Sequence, residues 1–551
     1  MGTPALPGMA PGEQKGKVKM KKALTMVLAA FMILLSLAGC AETSPAKGSA
    51  TESSLAESQE TPSPAAGDPR ELTIAISDIG VENVSYADNL PIWQEVEKRL
   101  NLKINWEALP GDQYATSAKT RLASGQNLPD IMQVPGSVTD VLKYAKQGLL
   151  VKLNDLIEKD ADMSGFLKAH PEIKSGITDP DGNIYFLTNY LLDVNNGMGM
   201  VLRKDWLDKL GMEIPTTLED WEAVLEAFKT TDLNGQGAGA VVPFGGKPRY
   251  FYSAFGLTVQ QSDEVYFYPD DSGKIKYDAT RDEFKEYLAF ASKLYAEGML
   301  DPMFGAGQSQ ISDLINKNMV ASTAANPGDC DNYMSTISAT GVEGAEYVWT
   351  FTPVDRDGKN RWAPLPSARS SVFMGITKDC ENPEVAMELL SYIWANEDGQ
   401  RLSLMGLEGE HWDMVDGVPV FKDFMLNDPQ YSIILMSRKI GGFSFLDIQT
   451  KEFNLARGVG EYKKGLELIL ANEDKYAEAL PVFIPTEEES AEINSLWPDI
   501  KSYIDEMTLK FIMGTEPIES FDAFRQKLSD MGIDRLTEIY QTVYDRYAAA
   551  K

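Results

Sequence analysis

The chain has 551 residues, a formal charge of −31, 43% hydrophobic residues, three cysteines and two histidines. That length exceeds what a single core supports, so two or more lobes are expected, and so negative a surface repels nucleic acid and anionic headgroups, which excludes a DNA- or RNA-binding role. Three cysteines exclude a disulfide scaffold, and two histidines with no thiol cluster beside them leave zinc chemistry little to work with.

Residues 1–19 are Gly/Pro-rich, basic and aperiodic, and they precede a second methionine, Met20, where translation is expected to start. Lys21 and Lys22 lead into an apolar and small-residue run from Ala23 to Ala38. This is the layout of a secretory signal, and it is shorter than the roughly 20 residues of a membrane span. Its ending, Leu37-Ala38-Gly39-Cys40, resembles the lipobox of bacterial lipoproteins, in which cleavage precedes the cysteine and the sulfur receives a diacylglycerol. An ordinary signal followed by an unrelated cysteine, or a short anchor helix, is the alternative. The lipobox reading divides the chain into a signal peptide, 1–39, a lipid-anchored linker, 40–69, and a folded part, 70–551. Loss of residues 1–39, with five Lys and one Glu, leaves a charge of −35, so the lipid on Cys40 must make the membrane attachment. Ala41 to Asp68 is rich in Ser, Thr, Ala, Pro and Glu without one aromatic residue and reads as a disordered tether.

The folded part opens with a β-type run, Glu71–Ser77, followed by a helical segment with Trp93, Val96 and Leu100 on one face and a second strand, Leu102–Trp106. A further helix, Gln113–Ser124, precedes a third strand, Asp130–Val134. Strands alternating with helices imply βαβ units and a parallel sheet, whose ligands bind beyond the carboxyl ends of the strands. Those ends carry Asp78 and Gln133 as candidate ligand contacts.

From here the chain resembles a known family. Asp130–Gly136, Gly182–Tyr190, Gly197–Gly211, Leu294–Pro302, Ile376–Trp394, Gly406–Val420 and Phe521–Tyr547 are similar to blocks of the extracellular solute-binding proteins of family 1, the maltose-binding-protein-like lipoproteins of carbohydrate importers, in their long Gram-positive form. The resemblance covers about residues 70–548. It implies an α/β, two-lobed periplasmic-binding-protein-like fold of type II, with the lobes joined by crossing strands and the ligand cleft between them. On this reading lobe 1 is about 70–188 plus 327–375, and lobe 2 is about 190–325 plus the helical C-terminal part. Asn189 and Tyr190 mark the first crossing, and Met319–Asn326 is a strand leading back into the first lobe, which makes Asn326 a candidate. Tyr347–Phe351 and Ser371–Thr377 read as strands. The stripe Leu536, Ile539, Tyr540, Val543 and Tyr547 has helical spacing and is assigned to packing.

Sugar rings stack their C–H faces on aromatic side chains, and their hydroxyls suit planar polar groups. Tyr252, Phe255, Trp362 and Trp412, each beside Gly, Arg, His or Asp, are therefore the aromatic candidates for the cleft, with Trp412 first among them. Asp232, Asn234 and Gln236 open a loop resembling a calcium site, but Ala238 and Ala240 hold no ligand, so no cofactor is expected. Glu408-Gly-Glu-His411 groups two carboxylates and a histidine, and it reads as a loop near the cleft. Cys330 and Cys380 are expected to remain thiols, although pairing stays open. Neither a phosphate loop nor a nucleophile elbow is present. The expectation is a monomeric, non-enzymatic lipoprotein that captures an oligosaccharide for ABC permease subunits, and basic residues beside aromatics at Lys247–Tyr250 and Lys359–Trp362 leave room for uronates. The rivals are a secreted polysaccharide-degrading enzyme and a sugar-sensing lipoprotein without a transport role.

Overall fold

In a computed structural model of the chain, the described residues are 68–550, apart from 193–197, 259–266, 271, 305–307, 362–367, 429, 444 and 473–483. Cys40, the signal, the tether up to residue 67 and Trp362 lie outside them.

Strand β1, Arg70–Ser77, buries Leu72, Ile74, Ala75 and Ile76 in sequence, as a strand covered on both faces must. The helix Pro91–Leu100 begins with proline in its first turn, turns Trp93 and Val96 inward, and stops at Asn101, which takes a left-handed conformation. It returns the chain to β2, Leu102–Leu109, which lies parallel to β1. The helix Gly111–Ser124 then leads to β3, Ile131–Gln133, on the other side of β1. The sheet is completed by β4, Leu187–Leu191, and by two late strands.

The second sheet begins with β5, Gly199–Arg203, and β6, Val242–Phe244. A small hairpin, β7 Phe267–Pro269 and β8 Ile275–Tyr277, packs beside it. Next come β9, Val320–Ala325, and β10, Tyr347–Thr350. The chain then returns to the first sheet with β11, Ala368–Ile376, forms the hairpin β12 Trp412–Val415 and β13 Val418–Phe421, and ends its strands at β14, Ile448–Gln449. The order of the first sheet is β14-β4-β11-β3-β1-β2, and that of the second is β10-β5-β9-β6.

Each sheet carries its own core. Trp93, Phe186, Tyr190, Phe373 and Trp394 belong to the first, and Trp206, Trp221, Phe251, Tyr287 and Tyr347 to the second. A satellite cluster forms around Trp412, Phe421, Met425 and Phe453. The C-terminal stripe packs as expected, with Leu536, Ile539 and Val543 buried in the second core and Tyr540 stacked 4.2 Å from Phe267.

The expected division of the lobes needs correction. Met319–Asn326 does not lead back to the first lobe, because β9 lies between β5 and β6 in the second sheet. The following helix, Pro327–Ala339, buries Cys330, Tyr333 and Ile337 in the second core, and β10 pairs with β5. The return to the first lobe comes only at β11, and that lobe continues through β14. The periodicity of a segment shows that it is a strand but not which strand it pairs with. Cys330 and Cys380 are both free, one in each lobe. One later segment touches both lobes: Ile469 and Ile500 lie in the second core, whereas Ile484 lies in the first, beside a 3.0 Å ion pair between Lys146 and Glu487.

Candidate functional site

Strand directions locate the cleft. In the first sheet β1, β3, β4 and β14 end at the same edge at which β11 begins. In the second, β6, β9 and β10 end at the edge at which β5 begins. The chain passes from the first edge to the second after Leu191, returns between Thr350 and Ala368, and passes over again between Ala456 and Gly460. Because all three passages join these two edges, the edges face each other, and the gap between them is the site where a ligand meets the carboxyl ends of strands from both sheets.

Close packing at the passages demands glycine. A Cβ on Gly199, the first residue of β5, would come within 2.5 Å of the Thr350 carbonyl oxygen and of the Trp349 ring. Gly465 meets Pro327 at the same distance where the third passage docks on the second lobe.

Several expected contacts lie on these edges, where hydrogen bonds within the chain already hold them. Asp78 follows β1, and its Oδ1 accepts from the amides of Ile79 (2.9 Å) and Tyr86 (3.1 Å). Gln133 ends β3, and its Oε1 accepts from the Ser77 amide at 2.9 Å. Asn326 follows β9, and its amide donates to Asp329 at 2.9 Å in the first turn of the next helix. Asn189 is buried on β4, where its Nδ2 donates to Asp447 Oδ2 at 3.0 Å and its Oδ1 accepts from the Asp447 amide at 3.2 Å. It braces the first passage against β14.

The aromatic candidates are core residues where they are described. Tyr190 is 1% exposed, donates to the Ile173 carbonyl, and packs edge-on to Trp394. Burial raises the pKa of its phenol well above the usual value. Tyr252 packs edge-on to Tyr287 at 4.3 Å inside the second core, and Phe255 lies half-buried between Tyr287 and Phe290. Trp412 is 4% exposed, and its Nε1 donates to the Gly406 carbonyl at 2.9 Å within the satellite cluster, so it is not a platform at the cleft. Each has an apolar neighbour set contributed by distant segments, which neighbouring Gly, Arg or Asp in sequence cannot reveal.

In the loop Glu408–His411, the buried His411 accepts from the Leu407 amide through Nδ1, and burial lowers its pKa. Asp232 Oδ1 accepts from the Gly235 amide, Asn234 Oδ1 from the Gln236 amide, and Asn234 Nδ2 donates to the Asn318 carbonyl, so these oxygens build a turn. Among the described residues no group of three His, Cys, Asp or Glu side chains could hold a metal. A cavity of about 860 Å³ opens beside Leu192 and Thr450, lined also by His170, Arg401 and Glu452. All of its walls belong to the first lobe and its satellite, so it is not the cleft.

Residues 83–400 match the family model described as bacterial extracellular solute-binding protein. The chain belongs to that family. It is 31% identical over 227 residues to the fructooligosaccharide ABC transporter substrate-binding protein FusA of Streptococcus pneumoniae serotype 4, a match covering 38% of this chain and 41% of that relative. With the lipoprotein LipO of Bacillus subtilis it shares 25% identity over 421 residues, 73% of this chain and 76% of LipO. The fold matches an HMO-binding, ABC-transporter-associated solute-binding protein from Bifidobacterium longum infantis with a TM-score of 0.67 at 18% identity, covering 87% of this chain and 99% of that one.

The second-lobe edge of this solute-binding protein is carried by the segment Lys247–Phe255, which follows β6. Its far end is held by Asp278, which is fully buried. The Asp278 carboxylate accepts from the Thr258 amide at 3.1 Å and from Arg281 Nη1 at 2.9 Å, and Arg281 also donates to the Gly256 carbonyl. Burial outweighs these partners and raises the Asp278 pKa to about 6. A carboxyl whose folded pKa lies above its unfolded value holds its proton more tightly when folded. Its stabilising contribution is full below about pH 4 and is lost as pH rises through about 6, on the order of 2–3 kcal/mol in all. Asp278→Asn should therefore remove this part of the pH dependence. The stability of wild type minus that of the variant, from urea unfolding at pH 4 to 7, is expected to fall as pH rises, and parallel curves would contradict it.

Proposed function

We propose that this protein is the membrane-anchored, extracellular substrate-binding component of an ABC importer, and that it captures an oligosaccharide between its lobes and delivers it to permease subunits. The observation that carries this reading is the pair of strand edges facing each other across three chain passages, a geometry in which ligand bound to both edges favours the closed arrangement. FusA, a fructooligosaccharide transporter's substrate-binding protein, supports the substrate class, and the family supports binding over catalysis. Among the described residues no helix is long and apolar enough to cross a membrane. Attachment is assigned to diacylglycerol on Cys40, with the tether holding the lobes off the surface while keeping them near the permease.

Small-angle scattering with a saturating oligosaccharide should give a smaller radius of gyration, and the same ligand at a hundred times its dissociation constant should stabilise the fold by about 2.7 kcal/mol. Unchanged scattering and melting across a broad panel of oligosaccharides would count against capture, and release of shortened products by the purified protein would favour the degrading enzyme instead. For the anchor, Cys40→Ala is expected to leave the protein unprocessed or in the medium when cells are fractionated. A correctly cleaved product that still sediments with membranes would overturn the lipid assignment.

A further inference from the structure

We propose that the two lobes are pinned to each other at two places, Arg457–Val459 and Pro485–Thr486, and that closure is a rotation about the line joining these pins. This rests on capture between the lobes and specifies the motion that capture needs. The first pin is the third passage. On its near side Thr450 follows β14 directly, and its Oγ1 accepts from the Phe453 amide at 3.2 Å, which starts the helix Lys451–Ala456 on the first lobe. On its far side the helix Gly460–Leu470 is held to the second lobe by Asp331, which accepts from the amides of Glu461 (3.1 Å) and Tyr462 (3.2 Å). Arg457 bridges the two sides, donating from Nε to Asn454 Oδ1 at 2.8 Å and from Nη2 to the Tyr462 hydroxyl.

The second pin lies away from the cleft, beside Lys146, which ends the helix Val138–Lys146 that leads back from the first edge after β3. Ile484 is buried in the first core, and only Pro485 and Thr486 separate it from the helix Glu487–Ile512, whose Ile500, Ile504, Met507, Phe511 and Ile512 lie in the second core. The first turn of that helix is capped from both directions, the Thr486 amide donating to Glu489 at 2.7 Å and the Glu489 amide to Thr486 Oγ1 at 3.2 Å. Arg535 and Arg546 tie the same end, through Glu492 and Glu489, to the C-terminal helix Ile533–Ala550, so it moves with the second lobe. Even fully extended, the chain reaches only about 10 Å from Ile484 to Glu487 and about 14 Å from Ala456 to Gly460, so the lobes cannot draw apart at either place. Two bodies tied closely at two points keep one free rotation, the one about the line through the ties. Grooves of about 330 and 590 Å³ flank Ile484–Glu487, and the exposed Lys146–Glu487 ion pair contributes little, so this pin has room to turn.

Slack introduced at a pin tests the axis. Two glycines inserted between Pro485 and Thr486, or between Gly458 and Val459, should each leave cooperative melting in place and give the unliganded protein a larger radius of gyration and maximum dimension in small-angle scattering. The same two glycines inserted between Asp357 and Gly358, in a turn that rests on the second lobe, control for insertion itself and should scatter like the wild type. Calorimetry with the best-binding oligosaccharide should show both pin insertions weakened by about three-fold or more, because closing must then fix rotations that the pins had already removed. Either pin variant decides the matter if the other does not fold. Scattering curves of folded pin variants that superpose on the wild type, or an equal change in the control, would overturn the axis, and larger particles with unchanged affinity would overturn its part in closure. If the folded wild type binds no oligosaccharide, capture itself falls, while the unliganded curves still decide the pins.

Discussion

Replacing Trp412 by Ala is expected to lower the unfolding free energy by about 3–5 kcal/mol and to leave ligand affinity unchanged. The indole fills the satellite cluster with Leu404, Met405, Phe421, Met425 and Phe453, and its Nε1 donates to the Gly406 carbonyl at 2.9 Å. Truncation removes a large apolar surface, leaves a cavity that the hairpin β12–β13 can close only in part, and strips a buried carbonyl of its donor. Trp412→Phe keeps most of the packing and loses only the hydrogen bond, so its cost should be about 1–2 kcal/mol. Urea unfolding of both variants, beside calorimetry with the best oligosaccharide, decides the matter. A weakened affinity with an unchanged unfolding midpoint would restore Trp412 to the cleft.

The second large effect is expected at the first passage. Asn189 supplies both a donor to the Asp447 carboxylate and an acceptor for its amide, at a site where Asp447 is only 3% exposed. Asn189→Ala takes one charge-assisted hydrogen bond from a buried carboxylate and leaves a buried amide unpaired, at a cost of about 2–4 kcal/mol. Gln449 Nε2 also donates to the other carboxylate oxygen at 3.4 Å, so the carboxylate keeps part of its pairing in the variant. Combining Asn189→Ala with Asp447→Ala removes the buried charge along with its partner, so the double variant should lose less stability than the sum of the single ones. Strict additivity in a double-mutant cycle would show that the two side chains do not act as a pair.

Elements whose cause is local were legible from the sequence. The β1, β2 and β3 runs and the helix Pro91–Leu100 with Trp93 and Val96 on its inward face follow from residues adjacent in the chain. So did the placing of Asp78, Gln133 and Asn326 at strand ends, since a strand's carboxyl end can be counted without knowing its neighbours. The segment Lys247–Tyr250 was visible as basic residues beside an aromatic, although nothing in the sequence indicated that Arg361 lies against Ser253, 108 positions away.

The sequence by itself determined the class of the protein: exported, strongly acidic, α/β, with too few cysteines and histidines for a disulfide or zinc framework. Tertiary structure alone decided which lobe each late segment joins and which aromatic residues are core. Helix and strand signals arise from contacts a few residues apart, whereas the pairing of Gly199 with Ala325, or of Asn189 with Asp447, depends on packing between segments more than a hundred residues apart. Trp412 illustrates the difference: the loop-like residues around it are local, but its burial is set by Met425 and Phe453, which reach it only when the chain folds back.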